Sequence, residues 1–101
     1  MKKYQESLIH ALKDPPEAAG YLNAALEEGD PEMFLVALRN VAEACGGIPK
    51  LSRVTKLNRA NLYKVFSKKG NPEVRTLNQI LEIFGLRLAV IAKDKKILRA
   101  A

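Results

Sequence analysis

The sequence predicts an all-α domain with one short β-strand at its C-terminal end. Three observations carry that prediction. Helix-start signals recur as Asp14-Pro15-Pro16-Glu17 and Asp30-Pro31-Glu32, with a weaker third copy at Asn71-Pro72-Glu73. Each sets a capping side chain before a proline whose fixed φ suits a first helical turn, with a carboxylate close behind. Helix-stop signals answer them at Gly29, Gly46-Gly47, Gly70 and Gly85. Between these marks apolar residues return at a helical spacing.

The elements follow in order. Tyr4 to Lys13 carries Leu8, Ile9 and Leu12 on one side. Ala18 to Glu28 carries Ala18, Tyr21, Leu22, Ala25 and Leu26. Glu32 to Cys45 holds a sustained 3.6-residue period through Phe34, Ala37, Leu38, Val41, Ala42 and Cys45. A short helix is expected from Pro49 to about Thr55, another from about Arg59 to Ser67, and a sixth from about Val74 to Phe84 with Leu77, Ile80, Leu81 and Phe84 on one face. After Gly85 the run Leu86 to Ala92 is short, partly β-branched and uncapped, which reads as a strand. A lone strand has no partner in its own chain, so it must pair with another copy or another protein, or lie as an extended tail. The organisation expected is one structural domain in three parts. These are an N-terminal helical extension over 1–30, a unit over 31–92 that holds the two short helices with their flanking helices and the strand, and a basic tail over 93–101.

A chain of 101 residues fits one domain, and its 48% hydrophobic content is enough to build a core. With three Tyr, three Phe and no Trp, that core must be mostly aliphatic. The net charge of +6 is divided unevenly. Met1 to Cys45 holds four basic and eight acidic residues, a balance of −4, while Gly46 to Ala101 holds thirteen basic and three acidic ones, a balance of +10. A basic half suits a polyanion, because neutralising phosphates releases condensed counterions; an acidic half suits a basic protein. The single cysteine, Cys45, cannot form an internal disulfide and sits among small residues. Met1-Lys2-Lys3 is followed by Tyr4-Gln5-Glu6-Ser7 rather than by the apolar run of a signal peptide, and no stretch approaches a membrane span. A cytoplasmic protein is expected. An enzyme is not: His10 is the only histidine, with no paired carboxylates and no Cys/His cluster at metal-ligand spacing, so neither metal nor cofactor is expected.

The segment from Ile48 to Phe66 reads as a helix-turn-helix. Two short helices joined by a tight turn pack steeply and need a small residue at the crossing, which Ser52 supplies. Leu51 and Thr55 from the first helix, and Leu62, Val65 and Phe66 from the second, would face inward, with Leu57 plugging the turn and Asn58 capping the second helix. Arg59, Ala60, Asn61, Tyr63 and Lys64 then remain on the outer surface, where the start of a recognition helix meets base edges in the major groove. Arg59 matches the two acceptors of guanine, and Ala60 permits close approach to a thymine methyl. Lys50, Arg53, Asn58, Lys68, Lys69 and Arg75 lie around this helix and suit phosphate contacts, which fix register without reading sequence.

The run from Tyr21 to Pro31, with Ala37 to Ala42, Gly46-Gly47, Leu57-Asn58-Arg59, Leu62-Tyr63, Gly70-Asn71-Pro72 and Gly85 to Leu88, closely resembles the probable addiction module antidote proteins, HigA-like antitoxins of bacterial type II toxin-antitoxin systems. The resemblance spans about Tyr4 to Val90. It implies a lambda-repressor-like fold of the Xre class, a small basic toxin of the RelE/ParE superfamily as partner, and dimeric repression of the module's own promoter. Within that fold Arg59, Ala60 and Lys64 match base-reading positions, and Arg75 a backbone or minor-groove position. Two features depart from the pattern. Lys56 stands where the turn usually has Gly, so a left-handed Lys there carries roughly 1 kcal/mol of strain, or the turn differs. Ile48-Pro49 opens the first helix, and Pro49 offers no N–H to a phosphate.

The face Tyr4, Leu8, Ile9 and Leu12 is a candidate toxin-binding surface of the helix-in-groove kind, although the same face would serve equally to cover the chain's own core. Leu86, Leu88 and Val90 of the expected strand are candidate dimerisation residues, and a homodimer on double-stranded operator DNA would share the reading between two half-sites. The alternative is a stand-alone Cro-like repressor with no toxin, using the same DNA-facing residues.

Overall fold

The computed structural model describes residues 2–67 and 70–93, and its order is α1 (Lys2–Ala11), α2 (Pro15–Glu27), α3 (Pro31–Ala44), α4 (Gly47–Thr55), α5 (Arg59–Val65) and α6 (Val74–Ile83). The structure is all-helical among the described residues.

The Asp-Pro signals act at their prolines: α2 and α3 start at Pro15 and Pro31, ahead of the apolar residues that the periodicity uses. Their caps differ for a simple reason. Asp30 accepts a 3.0 Å hydrogen bond from the Glu32 backbone N–H at the second helical position. Asp14 makes no side-chain cap bond: the donor that Asp30 uses, the second helical N–H, is missing because that position is Pro16. The third copy behaves differently from the expectation. The cap of α6 is Glu73 rather than Asn71, with the first helical bond running from Leu77 N–H to Glu73 C=O at 2.9 Å.

Gly46 serves two helices. It is left-handed, with φ 106°, so it ends α3 and starts α4 with no intervening loop. At the far end, Gly85 (φ 79°) closes α6: its N–H bonds Glu82 C=O at 3.0 Å and the Leu86 N–H bonds Leu81 C=O at 2.8 Å. This paired pattern satisfies the last carbonyls of the helix and turns Leu86 back onto the core.

α2 packs on α3, α3 on α4, α4 on both α5 and α6, and α1 on α3. Leu38, Val41, Leu51, Leu62 and Ile80 are fully buried at the centre. Leu12, Ala18, Leu22 and Ala25 join the same core, so residues on both sides of position 30 share one apolar interior.

The C-terminal strand expected over Leu86 to Ala92 is not formed among the described residues. A strand needs a ladder partner, and the helical chain provides none within the described residues. Leu86 is half-buried against the core, whereas Leu88, Val90 and Ile91 are exposed. Of the expected basic tail, Lys93 is exposed, and 94–101 lies outside the described residues.

Candidate nucleic-acid interface

The turn between α4 and α5 is held from α4. Ser52 Oγ donates to the Leu57 carbonyl at 2.7 Å. Thr55 Oγ1 donates to the Leu51 carbonyl at 2.6 Å and accepts from the Leu57 N–H at 3.2 Å. Both backbone polar groups of Leu57 are therefore satisfied by α4 side chains, while its own side chain packs on the core. Sequence reasoning valued Ser52 only for its size and Thr55 only as an apolar contact. The signal that was missed is the hydroxyl of each, placed two to five residues before a turn whose backbone needs partners.

Lys56 adopts φ 63° and ψ 18° and is the one non-glycine with positive φ among the described residues. Of the two outcomes expected for a lysine here, the left-handed one is observed, with the strain that a Cβ brings to it. Asn58 then caps α5, its Oδ1 accepting from Ala60 N–H at 2.7 Å and from Asn61 N–H at 3.4 Å. Its oxygen is committed to the cap, so only Nδ2 remains to face a phosphate.

Leu62, Val65 and Phe66 are buried, and Arg59, Ala60, Asn61, Tyr63 and Lys64 are all exposed. The outer residues divide between two flanks. Asn61 and Lys64 line a hollow with Leu57, Gly70, Asn71 and Thr76 on the α6 side. Tyr63 lines a separate hollow with Arg39, Glu43 and the first residues of α4. Gly70 keeps the α5–α6 connection tight, because a Cβ there would run into the Val65 carbonyl.

Lys50, Arg53 and Arg75 are exposed on α4 and at the start of α6; Lys68 and Lys69 lie outside the described residues. Burial pushes the Cys45 thiol above its ordinary value of 9.0, and the nearby charge of Lys50 opposes part of that shift.

The candidate toxin face is split. Tyr4 is 75% exposed, Leu8 and Ile9 are half-buried with Leu8 against the core, and Leu12 is only 3% exposed. Leu12 is thus a core residue, drawn inward because α1 packs its apolar side on the rest of the chain, and it offers no surface to a partner. A polar chain reinforces that docking: Gln5 Nε2 donates to Asn40 Oδ1 at 3.4 Å, and Asn40 Nδ2 donates to Tyr21 Oη at 2.8 Å. No helix among the described residues is long and apolar enough to cross a membrane. Those residues contain no cluster of three or more potential metal ligands.

Comparison with known proteins adds two findings. The family model described as "Probable addiction module antidote protein" matches residues 3–92. An uncharacterized protein of Haemophilus influenzae is 33% identical over 79 residues, covering 78% of this chain and 80% of that protein. No solved structure matches.

Proposed function

The chain belongs to the family of probable addiction module antidote proteins, and we propose that it is the antitoxin of a type II toxin-antitoxin module that also binds its own operator as a repressor. An antidote role implies a toxin as partner. The finer reading is a small basic toxin of the RelE/ParE superfamily, with the chain acting as a HigA-like, Xre-class protein without catalytic activity of its own.

The observation that carries the DNA half of this reading is the division of α5. Leu62 and Val65 of α5 and its C-cap Phe66 are buried, and five residues suited to groove contact stand out on a helix whose entry is pinned from α4. Arg59, Ala60, Asn61, Tyr63 and Lys64 are assigned to base edges, and Lys50, Arg53, Asn58 and Arg75 to phosphates. α4 and α5 together form the helix-turn-helix. Seven residues of recognition helix read few base pairs, so the operator-bound form is a homodimer on two half-sites. Leu88 and Val90, exposed beyond α6, are available to that contact.

For the toxin, Tyr4 and the exposed acidic residues of the N-terminal half are the available surface. The test is co-expression with the product of the adjacent gene, followed by a DNA-binding assay on the region upstream of both. Co-purification, rescue of growth and operator binding are expected. An adjacent product that neither co-purifies nor inhibits growth overturns the antitoxin reading, and absence of binding to the upstream DNA overturns the repressor reading.

A further inference from the structure

Arg39 belongs by sequence to the acidic half, but by position it stands at the edge of the α4–α5 face. It stands on the exposed side of α3 and lines one hollow with Tyr63 of α5, 24 residues later, and with Gly47, Ile48 and Pro49 at the start of α4. Arg39 and Tyr63 are both exposed, so this hollow opens beside the surface assigned to base reading. We propose that Arg39 and Tyr63 form a phosphate-binding subsite, in which the Arg39 guanidinium and the Tyr63 hydroxyl grip one phosphate of the DNA backbone at the α3 flank of the recognition helix.

The chemistry fits the residue types. A guanidinium presents a planar fork of donors that matches two phosphate oxygens, and a phenol adds a single neutral donor. The position fits as well. A helix lying in the major groove has a sugar-phosphate backbone along each flank. On the α6 flank, Lys64 lines the neighbouring hollow and Arg75 is exposed at the start of α6. On the α3 flank, Arg39 supplies the positive charge of the hollow. Glu43 lines the same hollow and opposes an anion, so the subsite works against a built-in repulsion and its strength depends on Arg39. This subsite moves Tyr63 out of the base-reading set given above, which keeps Arg59, Ala60, Asn61 and Lys64, and turns it toward the backbone.

The proposal rests on the DNA-binding reading above, and the experiment separates the two. Binding of the full-length chain to the duplex upstream of its own gene is measured by anisotropy from about 50 mM to about 200 mM salt, for the unaltered chain and for Arg39→Ala, Arg39→Lys, Tyr63→Phe and Glu43→Gln. Each phosphate contact contributes about 0.9 to the slope of log affinity against log salt. Removing one therefore lowers the slope by about 0.9 and shrinks the difference from the unaltered chain about threefold to fourfold across that salt range. Arg39→Ala is expected to do this on specific and unrelated duplexes alike, without shifting the melting temperature. Arg39→Lys is expected to keep the slope, Tyr63→Phe to weaken both duplexes equally, and Glu43→Gln to tighten binding. An Arg39→Ala slope equal to that of the unaltered chain overturns the subsite while leaving the DNA reading intact. A Tyr63→Phe loss confined to one base pair returns Tyr63 to base reading and overturns its half of the proposal. An unaltered chain that binds neither duplex overturns both.

Discussion

The hydroxyl of Ser52 on α4 donates a 2.7 Å hydrogen bond to the carbonyl of Leu57, so the first helix of the pair fixes the turn that launches the second. Ser52→Ala keeps the small size needed at the helix crossing but leaves a half-buried carbonyl without its partner. The expected cost is about 1–2 kcal/mol of folding stability, read from the midpoint of chemical denaturation. Ser52→Gly removes the same bond and adds backbone freedom in α4, so it is expected to cost more. A Ser52→Ala variant as stable as the unaltered chain shows that the bond contributes nothing.

Lys56 sits at φ 63°, in the region glycine favours. In an ordinary helical position alanine is the more stabilising replacement; here the order reverses. Lys56→Gly is expected to be more stable than Lys56→Ala by about 1 kcal/mol, because alanine keeps the left-handed strain and glycine does not. Lys56→Val is expected to be the worst of the three, since β-branching adds to the strain. Denaturation midpoints of the three variants check the order.

The thiol of Cys45 is pushed up by burial, with Lys50 working against the shift. Two outcomes follow at constant temperature. At neutral pH alkylation of Cys45 is slower than that of a free thiol, and unfolding the chain abolishes the difference. In stability, a folded-state value raised above the unfolded one favours the fold below the unfolded value and loses that contribution as pH rises through the folded one. The stability of the unaltered chain relative to Cys45→Ala is thus flat below about pH 9 and falls above it. A relative stability that climbs above that pH contradicts the assignment of burial as the cause.

The helical architecture was legible because its signals are local. Asp30, Pro31 and Gly85 each act on backbone groups within five residues of themselves, and each acts where the sequence places it. The exposed row from Arg59 to Lys64 was legible for the same reason, since helical spacing fixes it once Leu62 and Val65 turn inward. What could not be read depends on residues far apart. Whether Leu12 faces a partner or its own core depends on where α1 lands on α3, which no spacing within α1 reveals. The approach of Arg39 to Tyr63 likewise needs the α3–α4–α5 packing. The run after Gly85 has strand-like composition, but composition supplies no pairing partner.

Arg59 and Tyr4 test the two proposed binding activities with clean controls. Both are exposed, so neither substitution should alter the fold. Arg59→Ala is expected to cost about 1–3 kcal/mol of discrimination at a single base pair, measured against an operator set with one substitution each, and to leave binding to unrelated DNA far less affected. A uniform loss on every duplex instead makes Arg59 a phosphate contact.

Leu12→Ala and Tyr4→Ala separate the fold of α1 from any use of its surface. Leu12 is buried, and truncating it leaves a cavity worth about 2–5 kcal/mol, enough to lower the melting temperature well clear of error. Any loss of toxin neutralisation by that variant is a consequence of unfolding. Tyr4, at 75% exposure, contributes little to stability, so Tyr4→Ala should melt with the unaltered chain. If Tyr4→Ala weakens capture of the adjacent gene product while its melting curve and DNA affinity stay fixed, the exposed side of α1 is part of the toxin interface. If capture is unchanged, Tyr4 is not part of the toxin interface, and charge reversal at Glu27, Glu28 and Glu32, all three exposed, is the next measurement.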